Sequence, residues 1–277
     1  MSLILVGGGK QAPGATTTAI GLGAVWPSER RLVVEADPDG GVLAARFGLS
    51  YEPGLVSLAA ATRRELSEAD LAVHTQDLDG GLGVVCAPSA PDQMYAALEV
   101  SVGALAARLA ASGEVGVFVD VGRAWPAASV VRPLVEAADA VIVVCRPNLD
   151  ELTQLVARWR AFGSADPPVG VVLVGDRPYS AAEVAETLPG RGPSPVWATL
   201  PLDDCSAELL NGQRSTWDTS SRRLRVAPLV RALNGLALDL AGRLGVAAVH
   251  FAGLRVNGTG DVRDVRASPR QGVGAMR

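Results

Sequence analysis

The sequence predicts an α/β protein with a doubly wound, mostly parallel sheet of about seven strands and helices on both faces. Three observations lead there. Short β-branched apolar runs recur along the chain, several of them apolar at consecutive positions, as strands buried on both faces must be. Segments with helical periodicity separate these runs. No linker divides the pattern, so residues 1–250 read as one domain.

The elements follow in order. A first strand at 3–6 runs into glycines, and a helix at 16–25 starts on the threonine run Thr16-Thr17-Thr18, whose hydroxyls suit a helix start. The strand at 32–35 ends at Glu35, before the turn-forming Asp37-Pro38-Asp39-Gly40. Further strands are expected at 82–86, 115–121, 140–145, 169–174 and 196–200. Helices are expected at 94–111, 127–137, 149–162, 181–188 and 228–244. Two stretches break the alternation. Residues 211–225 are polar and Arg-rich around Trp217, and residues 251–277 form a Gly/Arg-rich tail that reads as disordered.

Composition narrows the function classes. With 277 residues, 48% of them apolar, the chain can bury a full core. Its formal charge of −4 gives no general pull toward nucleic acid or anionic lipid. No run approaches the roughly 20 apolar residues of a membrane-spanning helix. The opening MSLILVGGGK has no positive region before its apolar run, so a cytoplasmic protein is expected. Cys86, Cys145 and Cys205 fit no metal or redox spacing, and His74 and His250 are isolated, so no zinc site is assigned. Of 25 basic residues only Lys10 is lysine, a bias typical of GC-rich, actinobacterial-like genomes. That single lysine lies in the Gly-rich loop.

The loop carries the chemistry. Gly9 and Gly14 have the spacing of G-x-x-x-x-G-K-[ST], a turn whose N–H groups cradle phosphates at a helix N-terminus. Thr16 stands where a hydroxyl ligates Mg²⁺, but Ala15 occupies the lysine position. Two acids lie at later strand ends: Asp37, and Asp120, which closes an apolar run as a Walker B acid does. Carboxyl ends of parallel strands are where open α/β sheets bind ligands.

These residues resemble the MinD/ParA family of deviant Walker A, P-loop ATPases, over nearly the whole domain. The family's K-G-G-x-G-K-T-T is similar to Lys10-Gln-Ala-Pro-Gly14-Ala15-Thr16-Thr17, and its D-x-D-P to Glu35-Ala-Asp37-Pro38. Asp120-Val-Gly122 resembles the start of switch II, and residues 138–144 resemble the strand read as "ADxVLLV". Asp176-Arg177 and Leu200-Pro201-Leu202-Asp203 look like the segments beside the base.

The resemblance implies a P-loop NTPase fold binding ATP and Mg²⁺ at Gly9, Lys10, Gly14, Ala15, Thr16, Thr17, Asp176, Arg177, Pro201 and Asp203. Thr16 and Asp120 would hold the metal, Asp37 would orient the water, and Lys10 would reach a partner subunit's phosphates in trans. It also implies a homodimer acting on an unidentified partner protein. Ala15 removes the cation that normally grips the β- and γ-phosphates, so weak binding with slow or no hydrolysis is expected. A nucleotide-free scaffold that recruits a partner through the same surface is the alternative.

Two other patterns occur in the chain. Gly7-Gly8-Gly9-Lys10-Gln11-Ala12 fits an NAD fingerprint with Glu35 as the ribose acid, but Pro13-Gly14 would break the helix that pattern requires. Arg214, Arg222, Arg223 and Arg225 could contact DNA phosphates, although such a cluster reads more simply as a solvated loop. The helix at 228–244 carries an apolar stripe better explained by core packing than by a membrane surface.

Overall fold

The computed structural model describes residues 2–9, 14–62, 67–78, 80–123, 130–159, 167–188, 194–213 and 227–246. The strands are β1 (Ser2–Gly8), β2 (Arg30–Glu35), β3 (Gln76–Leu78), β4 (Leu82–Val85), β5 (Val115–Asp120), β6 (Ala140–Cys145), β7 (Val169–Val174) and β8 (Val196–Leu200). The helices are α1 (Ala15–Val25), α2 (Leu43–Phe47), α3 (Leu55–Ala61), α4 (Glu68–Val73), α5 (Pro91–Ala110), α6 (Arg132–Ala137), α7 (Leu149–Trp159), α8 (Ala181–Thr187), α9 (Asp204–Leu210) and α10 (Pro228–Arg243).

One sheet contains all eight strands, in the order β3-β4-β2-β5-β1-β6-β7-β8. Every neighbouring pair is parallel except β3 with β4. All seven expected runs form strands, and β3 makes an eighth. Its Gln-Asp-Leu has no apolar run to announce it, and antiparallel pairing at the sheet edge supplies its order. The short helices α2, α3, α4 and α9, of five to seven residues each, are likewise not among the expected elements. Helix α5 starts three residues earlier than anticipated, with Pro91 in its first turn, where the missing N–H is no loss. The starts and ends expected at 127–129 and 160–162 lie outside the described residues, as does the tail 251–277.

Alternation along the strands builds two apolar layers. Leu3 and Leu5 of β1 join Leu98, Leu105 and Leu134 on one face. Ile4 and Val6 join Ile20 and Leu22 of α1 and Leu233 and Leu236 of α10 on the other. Each fully buried Leu or Ile contributes about 1.5–3 kcal/mol through area removed from water, so β1, shielded on both faces, is the rigid spine of the domain. Trp26, just past α1, meets Phe118 of β5 edge to face at 5.2 Å between ring centres. Gly116 makes room for that indole: a Cβ there would overlap the Trp26 ring.

Gly116→Ala should therefore destabilise the protein by about 1–3 kcal/mol through overpacking. Urea unfolding followed by Trp fluorescence checks this: the midpoint should fall with an unchanged slope, and an unshifted midpoint would mean the indole is free to move aside.

Candidate functional site

The carboxyl ends of β1, β2 and β5 converge at the start of α1. Gly14 precedes this helix in the left-handed region (φ +84°), which a side chain would strain, and no side chain caps the helix. Its first turn carries no acid. An uncapped helix start offers N–H groups and the positive end of the helix dipole to an anion. Ala15 is buried at the base of this turn, so a methyl group stands where the motif has a lysine side chain and no ammonium is supplied from this position.

Asp120 ends β5, fully buried, directly opposite Glu35 in the register of β2 with β5. Its carboxylate accepts the Gly122 N–H at 3.1 Å. Burial pushes its pKa up to about 6, against the lowering influence of the nearby Thr16 hydroxyl and of the Gly122 N–H, and helped by the charge of Asp37. Asp37 is half-buried and also raised by burial; its Oδ1 accepts the Asp39 N–H at 2.9 Å. The Asp37 carboxyl lies over the α-carbon of Gly122, where a Cβ would overlap it. Gly122 also has a left-handed φ of +56°, so both space and backbone demand glycine.

Glu35 plays a different part. Its carboxylate accepts the N–H groups of Val42 (2.6 Å), Leu43 (2.8 Å) and Ala87 (2.9 Å). It is a buried brace between the start of α2 and the segment just after β4. With its lone pairs so engaged, Glu35 does not present the free acid that an NAD ribose needs, and α1 begins at Ala15, after Pro13-Gly14, rather than within the glycines.

Among the described residues two cations border the site, and neither was legible in the sequence. A cavity of about 200 Å³ is bounded by Ala15, Thr16, Asp37, Asp120, Arg46 and Arg123, among others. Arg123 pairs with Asp39 through Nε at 2.9 Å. Arg46 Nη1 donates to Asn211 Oδ1 at 2.6 Å, and the Thr17 hydroxyl donates to the same oxygen at 2.9 Å. Arg46 and Asn211 are 165 positions apart, so no local pattern could have paired them.

The remaining candidates among the described residues do not line the cavity. Asp176 and Arg177 follow β7 after Gly175, whose N–H bonds the Leu200 carbonyl at 2.8 Å and ties the ends of β7 and β8. A Cβ on Gly14 would sit 3.6 Å from Val174, so these ends stand beside the helix start. Pro201 follows β8. Asp203 caps α9, accepting from Ser206 N (3.2 Å) and Oγ (2.6 Å), and reaches Leu229 N of α10 at 3.5 Å. The Gly9 N–H bonds Val144 O at 3.4 Å, while Lys10, Arg214, Arg222, Arg223 and Arg225 lie outside the described residues.

Neither a family model nor a curated protein sequence matches the chain. Solved structures do resemble it. A ParA family ATPase from Chlorobium tepidum TLS superposes with a TM-score of 0.71 at 19% identity, over 86% of this chain and 98% of the other. The septum site-determining protein MinD of Pyrococcus horikoshii OT3, complexed with Mg-ADP, gives 0.66 at 14% identity over 89% and 98%. A chain of the MinC:MinD cell division protein complex from Aquifex aeolicus gives 0.59 at 14% over 87% and 96%. The chain thus has the α/β fold of the ParA and MinD ATPases. Among the described residues no helix is long and apolar enough to cross a membrane.

The raised acid at Asp120 has a measurable consequence. A folded-state pKa near 6 against an ordinary value of 3.8 means that the folded chain binds the extra proton, so its stability falls as pH rises through that window. Asp120→Asn, which carries no charge to desolvate, should be more stable than the parent by roughly 1–3 kcal/mol at pH 7. Denaturant midpoints measured from pH 4 to 7 should show the advantage shrinking toward the acid end; a constant difference would assign it to packing instead.

Proposed function

We propose that the chain is a nucleotide-dependent dimerisation switch that positions or regulates a partner protein, binding ATP with Mg²⁺ weakly and turning it over slowly or not at all. The observation that carries this reading is that Thr16 and the buried Asp120 line one cavity beside the uncapped start of α1. Among the described residues no cluster of three or more His, Cys, Asp or Glu side chains could hold a metal by itself. Mg²⁺ requires no such cage, because it keeps its waters and takes one or two protein oxygens beside phosphates. A hydroxyl, one carboxylate and a helix N-terminus fit that demand.

In this reading the N–H groups at the start of α1 bind the phosphates, and Thr16 and Asp120 hold the metal's shell. The bound ion neutralises phosphate charge. Asp37, kept over Gly122, orients a water. Asp176, Arg177, Pro201 and Asp203 border the base side. Ala15 supplies no charge to a transition state, which argues for occupancy rather than turnover as the signal. The MinD neighbour carries Mg-ADP and the MinC:MinD complex joins two proteins, and both support a nucleotide-linked partner role here. Lys10 is assigned its trans role on the resemblance alone. The methyl group at Ala15 also favours a second reading, a nucleotide-free scaffold recruiting a partner through the same surface.

Calorimetric titration with ATP and Mg²⁺ separates the two. The switch reading expects measurable heat, a raised thermal midpoint, and loss of both in Thr16→Ala; ligand at about 100 times its Kd adds about 2.7 kcal/mol of stability. No heat and no thermal shift at millimolar ATP would leave the scaffold. Lys10→Ala should bind ATP yet fail to dimerise with it in light scattering, and dimerisation equal to the parent's would refute the trans role.

A further inference from the structure

We infer that Arg46 is the phosphate-binding cation of this site, supplying in cis the charge that is missing at Ala15. The inference rests on the nucleotide reading above and adds to it a residue that no sequence motif marks.

Four observations converge on it. Arg46 borders the same cavity as Ala15, Thr16 and Asp120. Its charge reaches the buried acid, where it lowers the pKa of Asp120 against the stronger effect of burial. Its guanidinium is held by a neutral group, Asn211 Oδ1 at 2.6 Å, whereas Arg123, the other cation that borders the cavity among the described residues, is committed to Asp39. Among the described residues no carboxylate stands within ion-pair distance of Arg46, so its charge is not cancelled by a direct partner. An arginine with a neutral anchor can present its remaining N–H fork to an oxyanion, for which its planar geometry is suited.

The mount is built for precision of position. Helix α2 starts where Glu35 clamps Val42 and Leu43, and ends at Gly48 in the left-handed region. The backbone of Arg46 packs on Gly212 so closely that a Cβ there would collide with the Arg46 carbonyl. Asn211 accepts from Arg46 and from Thr17 at one oxygen, and thereby ties the arginine to the first turn of α1. The side chain is thus fixed relative to the helix start from both of its ends. A fixed cation loses little conformational entropy when an anion arrives.

The test uses the full chain with ATP–Mg²⁺ and inorganic tripolyphosphate as probes, read by calorimetry at low salt. Arg46→Gln removes the charge while retaining an N–H that can donate to Asn211, and Arg46→Lys keeps the charge. Ligand-free thermal midpoints confirm folding of each. Arg46→Gln should weaken both probes about tenfold or more, about 1.4 kcal/mol per factor of ten, with Arg46→Lys much nearer the parent. Adding Ala15→Lys to Arg46→Gln should restore affinity, because the two charges serve one purpose. Parental affinity in Arg46→Gln overturns the inference while leaving the nucleotide reading intact. An affinity unimproved by Ala15→Lys overturns it as well, since the charges would then not be interchangeable. A parent that binds neither probe overturns the nucleotide reading, and the role of Arg46 with it.

Discussion

The carboxylate of Glu35 holds the site together. Placing a charged group in the interior is costly unless its lone pairs are filled, and three backbone N–H groups fill them here. Those three bonds decide where the chain goes after β2. They fix the loop that carries Asp37, the first residues of α2, and the segment just after β4 at Ala87. Gly41 is close-packed against the same carboxylate, with no room for a Cβ. Without the brace, Asp37 loses its seat over Gly122 and α2 loses the start that aims Arg46. Burial pushes the Glu35 pKa up to about 6, so the brace itself is strained toward the neutral form.

Three carboxylates, Glu35, Asp37 and Asp120, therefore occupy one small region and all are raised in pKa, chiefly by burial. A chain selected for stability alone would not concentrate them. The cost is offset elsewhere, by apolar layers on both faces of β1 and by Trp26 seated on Phe118. Such local cost within a well-packed frame is the usual signature of a binding site rather than of a structural feature.

Much of this was legible in order along the chain. The seven apolar runs announced their strands because both faces are buried and every position must be apolar. That Thr16, Asp37 and Asp120 would border one cavity was legible because the carboxyl ends of parallel strands and the helix start that follows β1 lie at one edge of the sheet. What escaped did so for physical reasons. β3 and the short helices owe their order to neighbours, not to their own periodicity. Arg46, Asn211 and Arg123 act through contacts between distant segments, which local spacing cannot encode. Glu35 was noticed as an acid at a strand end, but its work is done with backbone N–H groups, which have no letter in a sequence. Lys10 lies outside the described residues, and Arg46 is a cation that only the fold brings to the cavity.

Gly122 carries a wider consequence. It has no side chain to offer a ligand, yet the place its Cβ would occupy is taken by the Asp37 carboxyl. The function of this position is stored as an absence. A substitution survey would score it like a reactive group, intolerant even of alanine, although no chemistry passes through it. The shape of the site is thus written partly in atoms that are not there, and a homologue that filled that gap could keep every acid and arginine and still lose the geometry that makes them a site.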